Sequence, residues 1–161
     1  MTTDTTLAVL DITVHGRPAT QGSKTAFVVR PRNGRPRAVM REAGAVDLKP
    51  WREAVRSTAA EALHAASHGP WAPVSGPVTV VLTFALPKPA SAPKRRRTWP
   101  VAARSGDVDK LARACLDALT DSGVWCDDAQ VVALTAVKDY VGSEGHLLVP
   151  GVRVQVFRVL G

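Results

Sequence analysis

Two aspartates, Asp107 and Asp109, stand one residue apart in "SGDVDKLARACLDAL", and a second pair, Asp127 and Asp128, follows in "WCDDAQVV". The rest of the chain is basic: 21 Lys and Arg against 14 Asp and Glu, a formal net charge of +7. If the first pair is extended, residues i and i+2 lean to one side of the chain. A short helix and a turn separate the two pairs, so the chain can fold back and bring three or four carboxylates together. Such carboxylates repel one another, and a hard divalent cation offsets that repulsion because it prefers oxygen ligands. Magnesium keeps several waters and binds phosphate oxygens, which suits it to phosphodiester hydrolysis. Each piece also has a plainer reading. Asp109 is an ordinary helix N-cap, and Asp127 and Asp128 are ordinary turn residues.

The elements that must position these residues follow from pattern. "LAVLDITVHG" (7–16) is β-branched and apolar and predicts a strand ending at Gly16. "RPATQGSK" predicts a loop, and residues 25–41 a hairpin with Asn33-Gly34 at its tip. "DLKPWREAVRSTAAEALHAA" predicts a helix of about four turns, with Pro50 in its first turn and Trp51, Val55 and Leu63 on its apolar stripe. "VTVVLTFALP" carries the strongest strand pattern. A helix over about 109–121 follows, with Cys115 on its buried side. "AQVVALTAVKDY" and "GVRVQVFRV" predict two closing strands. No repeat is visible. The order predicts one α+β domain over 1–161, two layers, with helices packed on one face of a mixed β-sheet.

Two basic stretches precede the acidic one. "KPASAPKRRRTWPVAARSG" (88–106) has the prolines and cations of a mobile surface loop and sets Lys94, Arg95, Arg96 and Arg97 in a row. Such a run is either a solubilising segment or a set of phosphate contacts that hold a DNA backbone near the acids. Trp99 beside it either anchors the loop or stacks on a base. The second set, Lys24, Arg30, Arg32, Arg35, Arg37 and Arg41, lies on the hairpin. A basic domain of this size is expected to meet something acidic, most commonly nucleic acid.

The stretch "GDVDKLARACLDALTDSGVWCDDAQVVALTAVKDY" resembles the signature of the RusA-type Holliday junction resolvases. That pattern runs P-D-x-D-N-L-x-K, a D-A-L stretch, D-D-x-Q-V and a later K-x-Y. Asp107, Asp109, Leu111, Asp117-Ala118-Leu119, Asp127-Asp128, Gln130-Val131, Lys138 and Tyr140 match it. The resemblance implies a homodimeric endonuclease that cuts branched, four-way DNA in a bacterial or phage-infected cytoplasm. It implies magnesium, or manganese in its place, bound by the catalytic Asp107, Asp109 and Asp128, with Asp127 outside the ligand set. Three positions depart from the pattern. Gly106 replaces the proline, Lys110 the asparagine and Arg113 the lysine. Arginine stays protonated, so at Arg113 an electrostatic catalytic role survives and a proton-transfer role does not. Arg113 is also i+4 from Asp109 and i−4 from Asp117, where a plain helix-surface ion pair is the competing reading. Lys24, Lys94, Arg95, Arg96, Arg97 and Lys110 are the expected DNA contacts.

Several classes are unsupported. No apolar run reaches the roughly 20 residues of a membrane helix, and the N-terminus lacks the basic start of a signal peptide. His15, His64, His68 and His146 show no ligand spacing. No phosphate-binding glycine loop or serine-hydrolase elbow is present, so no nucleotide cofactor is expected. The rivals to a nuclease are a non-catalytic DNA-binding module of the same fold and a transferase with a DxD metal site.

Overall fold

The computed structural model describes residues 8–22, 24–42, 45–144 and 147–161, with the side chains of 24–27, 39–42 and 45–46 outside that description. In chain order the elements are β1 (Ala8–His15), β2 (Lys24–Val29), β3 (Arg37–Glu42), α1 (Ala45–Ala66), β4 (Val78–Leu86), α2 (Val108–Ser122), β5 (Val131–Tyr140) and β6 (Gly151–Arg158). Four strands form one sheet in the order β1-β6-β4-β5, and β2 with β3 forms a separate two-stranded ribbon. Within this sheet β5 runs parallel to its neighbour, β4, and the β1–β6 and β6–β4 pairings are antiparallel. The fold is α+β with a mixed sheet, as the order of patterns predicts.

Alternation decides which face is covered. Val78, Val80, Leu82 and Phe84 of β4, and Val152, Val154 and Val156 of β6, are fully buried on one face. Against them α1 sets Leu48, Trp51, Val55, Ala59 and Leu63, and α2 sets Leu111, Ala114, Cys115, Ala118 and Leu119. These spacings of three and four place each set on one helical stripe. Fully burying a side chain such as Leu82 stabilises by about 1.5–3 kcal/mol. Cys115 is part of this core, and burial pushes its thiol up to about 12. Among the described residues no helix is long and apolar enough to cross a membrane.

The β4–β5 pair positions the acidic residues. Parallel neighbours cannot be joined by a tight turn; they need a crossover. Here residues 87–107 and α2 form it. The crossover starts at the end of β4 and returns to the beginning of β5. The two ends of α2 therefore lie toward opposite ends of the β5 edge. Gly123, in the left-handed region at φ 82°, stops the helix and turns the chain back.

Two boundaries differ from the sequence reading. Helix α1 begins at Ala45, so Pro50 lies in its second turn rather than its first. The N-cap of α2 is Asp107, with Asp109 inside the first turn. The backbone of Asp107 is extended, at φ −76° and ψ 138°, which is the conformation an N-cap requires.

Candidate active site

Asp107 occupies the N-cap position without capping: its side chain accepts no hydrogen bond from the backbone of the helix's first turn. The carboxylate turns outward and pairs with Lys110 Nζ at 2.8 Å. The Lys110 ammonium holds the Asp107 carboxyl below the usual aspartate range, and the charge of Lys138 adds to the effect. Lys110 is raised in turn by Asp107. Asp109 is exposed on the same turn, and Arg113 is exposed one turn further along. Neither ion pair open to Arg113, with Asp109 or with Asp117, forms among the described residues.

The chain entering α2 is held from two sides. Lys138 Nζ, near the end of β5, donates to Gly106 O at 2.6 Å and to Ser105 Oγ at 3.2 Å. From the other side, the loop after β1 leans on the first turn of the helix, where Gln21 N donates to Lys110 O at 3.1 Å. Gly106 has φ 78° and ψ 155°, and a Cβ there would collide with Thr20 Cγ2. Lys138 is a residue to which sequence reasoning gave no role. Its signal was its place in the K-x-Y step after the second acidic pair. Arg17 and Arg104 were also missed. They line a groove with Thr20, Ser105 and Gly106, immediately before Asp107.

The second acidic pair lies at the other end of the helix. Asp127 is a working cap: its carboxylate accepts from Ala129 N at 2.7 Å, and Gln130 Oε1 accepts from Asp127 N at 3.2 Å. The same Gln130 side chain donates to Val74 O and Gly76 O, fixing the entry to β5. That leaves Asp128 as the outward carboxylate of the pair. It shares a cleft with Arg52, Asp117, Thr120, Asp121 and Asp127. Arg52 is tied to Asp121 at 2.7 Å, which joins α1 to α2.

The expected convergence of Asp107, Asp109 and Asp128 is not met within one chain. The 15 residues of α2 intervene, a length of about 22 Å at 1.5 Å per residue. The chain does fold back, but along the full helix rather than across it. Among the described residues no three His, Cys, Asp or Glu side chains are grouped closely enough to hold one metal ion.

The basic residues divide. Lys94, Arg95 and Arg96 are exposed and form no ion pair among the described residues. Arg97 is committed: both its terminal nitrogens reach the carboxylate of Asp139, and Nη1 also donates to Ser143 Oγ at 2.8 Å. The 88–106 stretch is thus tied down near its middle and, through Ser105, near its end. Lys24 opens β2 opposite Glu42 in the ribbon; its side chain lies outside the described residues. His146 also lies outside them.

Residues 29–156 match the family described as Endodeoxyribonuclease RusA. The chain belongs to the RusA family. Its curated relatives include the "Crossover junction endodeoxyribonuclease RusA" of Escherichia coli strain K12, 50% identical over 44 residues, which is 27% of this chain and 37% of the relative. The proteins of that name from Shigella sonnei strain Ss046 and Enterobacteria phage 82 match to the same extent. The alignment spans little more than a third of these relatives' length. The RusA pattern places a proline before its first aspartate. Proline fixes φ near −65°, and the 78° of Gly106 is closed to it. As the chain is folded here, this position does not accept the proline of that pattern.

Proposed function

We propose that this RusA-family chain is a magnesium-dependent, structure-specific endodeoxyribonuclease that resolves four-way DNA junctions by paired nicks, acting as a homodimer. The observation that carries the reading is the N-cap carboxylate of Asp107. It leaves the helix backbone uncapped and pairs instead with the Lys110 ammonium of the first turn, with the charge of Lys138 acting on it from β5. An N-cap that forgoes its cap loses about 1 kcal/mol of helix stabilisation, a loss more readily explained by a role in binding than by one in folding.

One chain does not close a three-carboxylate metal site, because Asp128 is a helix length away from Asp107 and Asp109. A second copy can close it. Strand β5 is an edge strand, with Val132, Leu134 and Val137 exposed at 63%, 45% and 44%. An edge of this kind invites strand pairing. Antiparallel pairing of two β5 edges about a two-fold axis sets the start of one strand beside the end of the other. Asp128 of one copy then approaches Lys138, Gly106 and Asp107 of the other. Two such sites arise together, as paired nicks require.

Asp107 and Asp109 of one copy and Asp128 of the second would hold the ion, with manganese able to replace magnesium. When bound, the metal supplies an activated water and neutralises phosphate charge. The chain's own residues do the rest. Lys94, Arg95 and Arg96 contact the DNA backbone, joined by Arg17 and Arg104 in the groove before Asp107. Lys138 fixes the backbone that presents Asp107. Arg113 and Lys110 stabilise charge on the phosphate during attack. Lys110, raised by Asp107, remains an ammonium and does not act as a base.

The test is incubation of labelled four-way, flap, fork and linear DNA with and without magnesium. Paired nicks at the four-way branch, dependent on the metal, are expected. Asp107→Asn should bind the junction and not cut it. Tight binding with no cutting by the unaltered protein would make the chain a binding module instead.

A further inference from the structure

Trp99 is 56% exposed, whereas Trp51 and Trp125 are 3% and 1% exposed in the core. Val101 beside it is 86% exposed. Exposure alone would not single this ring out, since lone apolar side chains are common on protein surfaces; what does is the set of contacts that hold it beside a run of cations. The ring is also not loose. Arg97 Cζ lies over it at 4.7 Å from the ring centroid. That guanidinium is bound by Asp139, which is only 4% exposed, and by Ser143. Asp139 is itself oriented, accepting from Tyr140 N at 2.7 Å and Ser143 Oγ at 3.1 Å. On the other side, Pro100 is buried, and its carbonyl accepts from Ser105 Oγ at 2.6 Å. Ser105 and Gly106 are the residues that Lys138 holds just before Asp107. The indole is therefore fixed beside the candidate active site, with a cation covering one face. The ordering entropy that weakens binding by a mobile side chain has already been lost in the fold.

We propose that Trp99 is a base-stacking residue that receives one unstacked nucleobase at a DNA branch point. This rests on the reading that the chain binds branched DNA. An aromatic face beside a run of cations is the combination that holds single-stranded nucleotides: phosphates meet Lys94 to Arg96 and a base meets the ring. Stacking of this kind tolerates any base, since every base has a π-face. The Arg97 guanidinium on the ring keeps the indole from folding back onto the loop. Asp139 is a positioning residue, acting on Trp99 through Arg97.

The test is a thermodynamic cycle with the intact protein in calcium, which suppresses cutting. Wild type, Trp99→Ala and Trp99→Phe are titrated with a four-way junction and with the same junction made abasic at its branch nucleotides. On the intact junction Trp99→Ala should bind about five- to a hundredfold more weakly, and Trp99→Phe should recover most of the loss. On the abasic junction wild type and Trp99→Ala should bind alike. The log–log salt slope should be the same for both, because stacking releases no counterions. Thermal melting checks that Trp99→Ala is folded. Equal losses for Trp99→Ala on both junctions, or no loss on either, overturns the stacking role. Failure of the wild type to bind any branched DNA overturns the underlying reading as well and is a distinct result.

Discussion

Lys138 and Asp139 are neighbours on β5 and hold the same connection from opposite faces of the sheet. Lys138 pairs in register with Phe84, which faces the helices, and bonds Gly106 just before α2. Asp139 pairs with Ala85 on the other face and binds Arg97, nine residues upstream of Gly106. Side chains alternate along a strand, so one dipeptide pins a loop that wraps around the strand end. The acid thus orders the basic loop, and the lysine orders the acidic helix start.

This arrangement sets a pH dependence. Burial raises the Asp139 carboxyl, but the hydrogen bonds from Arg97, the Tyr140 amide and Ser143 outweigh it, and the net shift is downward. A group depressed on folding contributes stability above its unfolded value, and that contribution is lost as pH falls through its folded value. The clamp should therefore stay intact from neutral pH to the ordinary aspartate value of about 3.9 and open only below it. Emission from Trp99, measured as the change between wild type and Trp99→Phe, should be flat down to that point and then shift. Asp139→Asn should show the released signal at neutral pH. A transition near pH 6 would place control of the clamp elsewhere.

Gly106 offers a test against intuition. Restoring the family proline at this position should damage the protein rather than improve it. The φ of 78° is closed to proline, and any Cβ meets Thr20. Backbone strain of this kind costs about 1–3 kcal/mol, and displacement of Gly106 also breaks the Lys138 bond. Gly106→Pro should lower the melting temperature by several degrees and reduce nicking further than its stability loss explains. A variant that melts and cuts like wild type would mean the entry to α2 is not fixed at this residue.

The layers were legible because burial alternation and helical stripes are local signals. β4 and both helices declare themselves in Val-Thr-Phe alternation and in the spacing of Trp51, Val55 and Leu63. The family signature was legible too, because its residues fall in one continuous stretch. What escaped was distance. The sequence shows Asp107 and Asp128 separated by a helix and a turn, and that spacing is compatible with convergence or with separation. The parallel pairing of β4 with β5 decides for separation, and strand direction leaves no local mark in a ten-residue strand. The partner of Arg97 escaped for a similar reason. In sequence Arg97 is one of four cations; its partner Asp139 lies 42 residues away and finds it only when the loop wraps the edge. Asp127 and Asp128 look alike as letters, and only the cap geometry separates the one that holds the turn from the one that faces outward.

Arg113 is exposed and unpaired among the described residues, so the surface ion-pair reading has no geometry behind it. Its charge is available to a phosphate near the start of α2. Losing one such transition-state contact typically costs about 3–4 kcal/mol, a hundred- to a thousandfold in rate. Arg113→Ala should melt like wild type, bind junctions and cut at least about a hundredfold more slowly. Arg113→Lys should retain most activity, since the charge remains. Single-turnover cleavage at saturating magnesium checks both. If Arg113→Ala cuts within a few-fold of wild type, the charge is supplied elsewhere, and Lys110, already beside Asp107, is the next residue to change.

The dimer is tested most sharply by mixing inactive variants. Suppose each site takes Asp107 and Asp109 from one copy and Asp128 from the other. Asp107→Asn alone then spoils both sites of its homodimer, and so does Asp128→Asn alone. A heterodimer of the two variants distributes the damage unequally. One site receives both substitutions, and the other receives none. Mixing and reannealing the two inactive proteins should therefore restore cutting, up to half of the dimers carrying one intact site. The restored activity should differ in kind as well as amount: single nicks at the branch rather than the paired cuts of wild type. Nicked and fully resolved products separate on native and denaturing gels, so the distinction is direct. A third variant addresses the interface. Replacing Leu134 with lysine on the exposed β5 edge puts like charges across a two-fold axis and should give a monomer by light scattering. That monomer should bind DNA weakly and cut nothing. If each single variant is inactive and the mixture stays inactive although mixed dimers form, Asp107 and Asp128 do not meet across copies. If Asp128→Asn alone cuts normally, Asp128 is a surface turn residue, and the ion must find its third ligand among other groups near the start of α2.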